Sequence, residues 1–351
     1  MNVIPGLLLA LVLAFAGQFL SEFIGIDLMG LPKSPISAIM MAIILGIIIR
    51  NTITLPLALQ PGIRFGLVRV LRAGIVLLGI RLSLGEAGSI GLQALPVIIG
   101  AVAAALLIVT FLSRRLGLSG KLGTLIAVGT SICGATAIVA TAPTIAAKDD
   151  EVAYSVACVT LFGVVAMLVY PFIGHWFFDG DAFRAGLFLG TSVHETAQVA
   201  GAGLVYQQYY QDPQALDVDT VTKLVRNLGM LLVIPLMSVL YHRNHSDGTE
   251  APKWYTMIPL FVVGFALMSL IRTVGDMSEQ PFGVLDPEQW KTIVGYTKQT
   301  AELFLAVAMA AVGLGTSIKG LRDIGLRPLG AGLVAAVLVG GVSITLISLL
   351  Y

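Results

Sequence analysis

Charge is scarce in this chain. Only 12% of its 351 residues are Asp, Glu, Lys or Arg, roughly half the share a soluble domain carries. No polar stretch is long enough to form a separate soluble domain; the longest lies near 273–299. The net charge of +1 leaves no basic surface for nucleic acid. Cysteine is nearly absent. Cys133 and Cys158 both sit in apolar runs, which excludes a disulfide framework and a thiolate metal centre. No cofactor is expected. Met1 to Gly6 contain no Lys or Arg, so the first apolar run lacks the basic start of a cleaved signal peptide and is expected to remain. Acids are missing between Lys121 and Asp149.

Apolar residues fill the space that charge vacates. The chain is 57% hydrophobic with mean hydropathy +0.92. Runs of 17 or more apolar residues recur from end to end, enough to cross ~30 Å of hydrocarbon. The reading is an all-α integral membrane protein of about eleven spans. They lie at 5–23, 35–50, 65–84, 93–113, 122–145, 152–174, 183–205, 219–241, 255–272, 300–318 and 327–350. Arg50, Arg64, Arg114, Arg115, Lys121, Arg184, Arg243, Lys253, Lys319, Arg322 and Arg327 fall on one side. Lys33, Lys148, Arg272, Lys291 and Lys298 fall on the other. The richer side is expected in the cytoplasm, with the N-terminus inside and the C-terminus outside.

One tetrapeptide recurs within these runs, as Gly129-Thr130-Ser131-Ile132, Gly190-Thr191-Ser192-Val193 and Gly315-Thr316-Ser317-Ile318. Glycine loosens the backbone, and Thr and Ser bond a freed carbonyl. At membrane depth, irregular backbone survives only inside protein or along a watery cavity. These words are expected to mark breaks that build a binding site; the alternative is close helix packing on small residues.

Further matches share one offset. Arg69-Val70-Leu71-Arg72 opens span 3 as Lys223-Leu224-Val225-Arg226 opens span 8. Leu45-Gly46 precedes Arg50-Asn51 as Leu189-Gly190 precedes His194-Glu195, and Gly129 to Gly134 matches Gly315 to Gly320. An offset of five spans reverses direction, so spans 2–6 and 7–11 read as an inverted repeat: 1–34 is an added span, 35–175 the first half and 176–351 the second. Paired interrupted helices in such repeats point to a secondary transporter with a midplane site. Spans 5 and 10 are the expected interrupted pair. Pairing span 5 with span 7 fits the tetrapeptide but would make the two parallel. Span 10 read as simply ending at Gly315 is the competing view.

The expected substrate residues are Thr130, Ser131, Cys133, Gly134, Thr316 and Ser317, joined by Ser192 and Gln198 from span 7. The start of a helix half offers amides and a dipole to an anion. His194 and Glu195 are the expected coupling pair, with His194 as proton carrier and Glu195 able to pair with Lys223 or Arg226; a structural ion pair between spans 7 and 8 is the plainer reading. On one helix His194 and Glu195 would point about 100° apart, whereas Ser192, Glu195 and Gln198 would share a face. Arg69 and Arg72, related by the repeat to Lys223 and Arg226, read as cations at the two mouths, or as headgroup anchors; Arg81 lies near the outer end of span 3. Glu195 is the only acid read well inside a span, and the excess of cations favours an anionic substrate over a cation–proton antiporter. Cys133, His194 and Glu195 are the only nucleophile–base set, and no spacing unites them, so an enzyme is not expected.

The segments Leu77 to Leu84, Gly129 to Pro143, Gly190 to Val199 and Lys223 to Arg226 resemble the YeiH-like sulfate exporter family, most specifically through His194-Glu195-Thr196-Ala197-Gln198. The resemblance covers nearly the whole chain. It implies the fold of the bile acid–sodium symporters and cation–proton antiporters: a core with two crossing discontinuous helices and a panel, often dimeric, in the bacterial inner membrane. The family's label implies sulfate; with the charge balance, the expected function is secondary active transport of a small anion such as sulfate, a sulfonate or a carboxylate, with a proton or Na⁺ as coupling partner.

Overall fold

The computed structural model describes residues 2–28, 37–242, 259–278, 280–317 and 326–351. Lys33, Arg243, Lys253, Ile318, Lys319, Gly320 and Arg322, all used above, lie outside the described residues. Among the described residues every regular element is helical. In chain order these are α1 (Ile4–Glu22), α2 (Ala38–Thr52), α3 (Gln60–Phe65), α4 (Leu71–Leu78), α5 (Leu84–Ala104), α6 (Thr110–Arg115), α7 (Gly120–Ser131) and α8 (Ala135–Thr141). There follow α9 (Asp149–Phe177), α10 (Ala182–Ser192), α11 (Thr196–Tyr210), α12 (Gln214–Leu228), α13 (Met230–His242), α14 (Leu260–Asp276), α15 (Pro287–Gly315) and α16 (Leu326–Leu350). Among the described residues, five stretches are long and apolar enough to cross a membrane: Ile4–Leu28, Leu84–Arg115, Asp149–Phe177, Gln214–Met237 and Pro328–Leu350. On Leu84–Arg115, Leu92, Ile99 and Leu107 are largely exposed, as expected of a face turned to lipid tails.

Helix starts follow local chemistry. Ser37 Oγ accepts from Met40 N (3.1 Å), Ser119 Oγ from Leu122 N (3.1 Å) and Asp181 Oδ1 from Arg184 N (3.0 Å), capping α2, α7 and α10. At α15, Gln289 Oε1 accepts from Asp286 N at 3.1 Å, and Pro287 fills the first turn. The polar stretch before span 10 is therefore helical, and α15 begins well before the expected residue 300.

The helices form two compact units. The first comprises the described parts of Met1–Ile90, Gly203–Asp217 and Leu260–Ile318. There α15 packs on α1, α2 and α4, and α14 packs on α4. Gly46 and Gly313 let α2 and α15 touch backbone to backbone: a Cβ on Gly46 would lie 2.8 Å from Ala310 O, and one on Gly313 2.3 Å from Ile43 O. The second unit comprises the described parts of Gly91–Ala202, Val218–Pro259 and Lys319–Tyr351. In it α9 packs on α7, α10 and α16.

Among the described residues, helices are interrupted at the tetrapeptides of spans 5 and 7. Span 5 breaks between α7 and α8, and span 7 breaks between α10 and α11. In span 10, α15 runs for 29 residues and ends at Gly315, followed by extended Thr316; the expected continuation through Lys319 and Gly320 lies outside the described residues. Gly313 serves the close packing of α15 against α2.

Candidate functional site: the helix breaks of the second unit

The tetrapeptides share one local geometry. Thr130, Thr191 and Thr316 donate their hydroxyls to the carbonyls four residues back, Ile126, Leu187 and Val312, at 2.8, 2.7 and 2.8 Å. Ser131 Oγ donates to Val128 O (3.1 Å), and Ser192 Oγ to Phe188 O. Such back-bonding loosens a helix end. Helix α7 stops at Ser131 and α10 at Ser192, the third residue of the word in both cases. The hydroxyls of Thr130, Ser131, Ser192 and Thr316, expected to face a ligand, donate to their own helices.

Past α7 the chain turns through Ile132 (φ −122°, ψ −93°) and Gly134 (φ 70°, ψ −130°) into α8. Past α10 it runs through extended Val193, then His194 and Glu195, into α11. Each break strands carbonyls that no intrahelical N–H reaches. Two cations from one face of α12 satisfy them. Arg226 donates through Nε to Ser131 O (2.8 Å), through Nη1 to Gly190 O (3.3 Å) and Val193 O (3.1 Å), and through Nη2 to Thr130 O. Lys223 Nζ donates to Ile132 O (2.7 Å), Val193 O (3.1 Å) and His194 O. Both side chains are fully buried. Cations at helix C-termini are favoured by the dipole, and here each bridges both breaks. The expectation that they line an outer mouth is corrected: three donors on one ammonium are all taken by backbone oxygen.

Glu195 meets the opposite end of span 5. Its Oε1 accepts from Thr160 Oγ1 (2.7 Å), and the Ala135 amide, first of α8, lies close enough to favour the carboxylate electrostatically. Gln198 closes the ring, accepting from Glu195 N (3.2 Å) and donating through Nε2 to Thr160 O (3.0 Å). Gly134 is required here, because a Cβ would lie 2.4 Å from Glu195 Cγ. Glu195 forms no ion pair with Lys223 or Arg226; the expected bridge between spans 7 and 8 is made by carbonyls instead. The break also removes the helical face expected for Ser192, Glu195 and Gln198. Glu195 and Ala135 are half-buried and Thr136 is exposed, so this is the open side of the cluster. His194 is fully buried beside the Thr130 carbonyl, with neither ring nitrogen in hydrogen-bonding geometry. Cys133 is buried, its Sγ 3.3 Å from Met230 Sδ.

The other expected residues belong to the first unit. Thr316 O accepts from Asn51 Nδ2 (3.0 Å), and Ser317 is half-buried. Arg69 and Arg72 are exposed, with Arg72 5.9 Å from the Phe261 ring centroid. Arg81 is held by Asp217 (2.5 Å), Glu302 (3.1 Å) and Gln207 (3.3 Å). Sequence reasoning missed Thr160, which carries no motif. It also missed the fully buried Asp219, which lies at the boundary drawn for span 8, where hydropathy reads a wet end.

Apolar helices of membrane length, with broken helices and charges buried among them, define a helical membrane protein. The chain matches the family described as Conserved hypothetical protein 698 over residues 5–332. It belongs to that family. It is 32% identical to a UPF0324 membrane protein of Fusobacterium nucleatum, over 94% of this chain and 93% of that one. It is 34% identical to one of Bartonella henselae (98% and 92%) and 31% identical to one of Streptococcus agalactiae (92% and 90%). No solved structure matches the chain.

Proposed function

We propose that this protein is a secondary active transporter of a small anion, working by alternating access across the bacterial inner membrane. The observation that carries the reading is the pair of helix breaks joined by Lys223 and Arg226, with Glu195 against the start of α8. Intramembrane charges are costly and mark transport paths. Two cations and one carboxylate leave the breaks with a net positive charge, which attracts an anion even though the cations do not touch it.

Glu195 is the better placed coupling group, because His194 is fully enclosed and Glu195 stands at the open side. An arriving anion competes with the Glu195 carboxylate for the Thr160 hydroxyl and the Ala135 amide, and a proton on Glu195 removes the competitor. Proton and anion then bind together.

The eleven-span inverted topology is part of the proposal, with N-terminus inside and C-terminus outside. Its support is a correspondence within the units. In the first, spans 2 and 3 meet span 10, and span 3 meets span 9. In the second, spans 7 and 8 meet span 5 through Lys223 and Arg226, and Gly91 of span 4 faces Val225 of span 8. Each contact maps onto its partner by the offset of five.

The test is uptake of sulfate, small sulfonates and carboxylates into proteoliposomes from pH 5 to 8, for the wild type, Glu195→Gln and His194→Gln. The expected result is anion flux that flattens with pH only in Glu195→Gln. Proton release on adding Na⁺ or K⁺, without anion flux, would instead establish a cation–proton antiporter.

A further inference from the structure

A second polar site lies in the first unit, away from the helix breaks. Arg272, Asp276, Trp290, Lys291, Val294, Gly295 and Lys298 enclose a pocket of about 370 Å³. Ligand pockets begin near ~300 Å³, and a water takes up roughly 30 Å³, so the space suits a small organic molecule. Its charges are unbalanced. Among the described residues of the lining Asp276 is the only acid, and it is committed: Oδ2 to Arg272 Nε (2.5 Å), Oδ1 to Trp290 Nε1 (2.7 Å). Arg272 also donates to Ile80 O (3.2 Å). Lys291 and Lys298 make no hydrogen bond or ion pair within the described residues. Lys298 stands half-buried, within electrostatic reach of Arg81, Arg272, Asp217 and Glu302.

The two lysines are seven residues apart on α15, two turns along nearly one face, with axial separation ~10 Å. Between them lie Val294, which is buried, and Gly295, whose missing side chain leaves open space. Trp290 is part of the same lining. The pocket thus offers two unpaired ammonium groups divided by an apolar floor.

We propose that this pocket binds a short organic dianion, a dicarboxylate with one acid group on Lys291, the other on Lys298, and its carbon chain over Val294 and Gly295. A single tetrahedral anion leaves one ammonium unpaired and the floor uncovered. The site goes beyond the transport reading and does not depend on it.

Trp290 is the reporter. The full chain in detergent, with Trp176→Phe and Trp254→Phe, is titrated with succinate, propionate and sulfate at low and high salt. Succinate is expected to change the fluorescence saturably, at least about tenfold more tightly than propionate or sulfate, and less tightly at high salt. Lys291→Gln and Lys298→Gln should each weaken it about tenfold, and Lys298→Arg should restore most of it. Both lysines sit on an accessible face, so the variants should fold; an unchanged unfolding temperature checks this. No saturable change, a change that survives the double lysine variant, or equal binding of sulfate and succinate would overturn the proposal. Because the assay uses no gradient, its failure leaves the transport reading standing. Loss of transport in Glu195→Gln with succinate binding intact separates the two in the other direction.

Discussion

Lys223 and Arg226 share a single acceptor, the carbonyl of Val193, at 3.1 Å from each. Two cations on one oxygen would repel each other strongly in a low dielectric were they not also held by carbonyls of the other break. The arrangement ties α12 to α7 and α10 at once, so the fold at the breaks depends on these side chains.

Arg226→Met and Lys223→Met should therefore destabilise the protein rather than merely alter affinity. Arg226 satisfies four carbonyls and Lys223 three, and each orphaned buried acceptor costs about 1–3 kcal/mol. Thermal unfolding in detergent should show a large fall for both. Arg226→Lys should recover part of it, since one ammonium has three donors for the four carbonyls that Arg226 reaches. Folding and wild-type stability in Arg226→Met would refute the capping role.

Thr160→Val tests the ring around Glu195. It removes the hydroxyl donor to the carboxylate but leaves the Thr160 carbonyl for Gln198. The loss of one charge-assisted bond predicts a cost of about 1.5–3 kcal/mol, read as a lowered unfolding temperature. In Glu195→Gln the amide oxygen still accepts from Thr160, so stability should stay close to wild type.

Gly134→Ala should be harsher than an ordinary surface change. Its φ of 70° disfavours any side chain by about 1–2 kcal/mol, and the new methyl would strike Glu195 Cγ at 2.4 Å. Loss of expression or a clear drop in unfolding temperature is expected; a neutral outcome would mean that the turn between α7 and α8 is shaped otherwise.

Acid titration of Trp290 fluorescence gives a prediction with a definite sign. Burial works against charge on Asp276, but the Trp290 indole and the Arg272 guanidinium outweigh it and hold the carboxyl below its usual value. A lowered folded pKa means that its stabilisation is complete above the unfolded value of ~3.9 and is lost as pH falls through the lower folded one. The indole signal should hold to below pH ~3.9 and then change, whereas in Asp276→Asn that step should vanish.

The membrane class and the helical character were legible in composition and run length, and Gly129 to Gly134 and Gly190 to Glu195 were legible as irregular. The roles of their hydroxyls were not. Whether Thr130 bonds a ligand or Ile126 is a matter of rotamer, which the sequence does not carry. Lys223 and Arg226 were misread for a related reason. Hydropathy places a segment holding Asp217, Asp219, Lys223, Arg226 and Asn227 at a wet end, because it cannot see that carbonyls some 30 to 95 positions away complete the cations. At Gly313 and Gly315 the sequence shows only small residues, and both close packing and a helix break use them.

The anchoring of Lys223 and Arg226 to backbone carbonyls has an electrical consequence. Their charges travel only with the helices that hold them, and with Glu195 ionised the breaks carry one net positive charge. Moving that charge through the whole membrane field involves about 2.3 kcal/mol per 100 mV. On loading, a proton neutralises Glu195 and a dianion such as sulfate cancels the two cations, so the loaded step would be indifferent to voltage while the empty return would feel the full potential. Current recorded with and without substrate would then distinguish which half of the cycle the membrane potential drives.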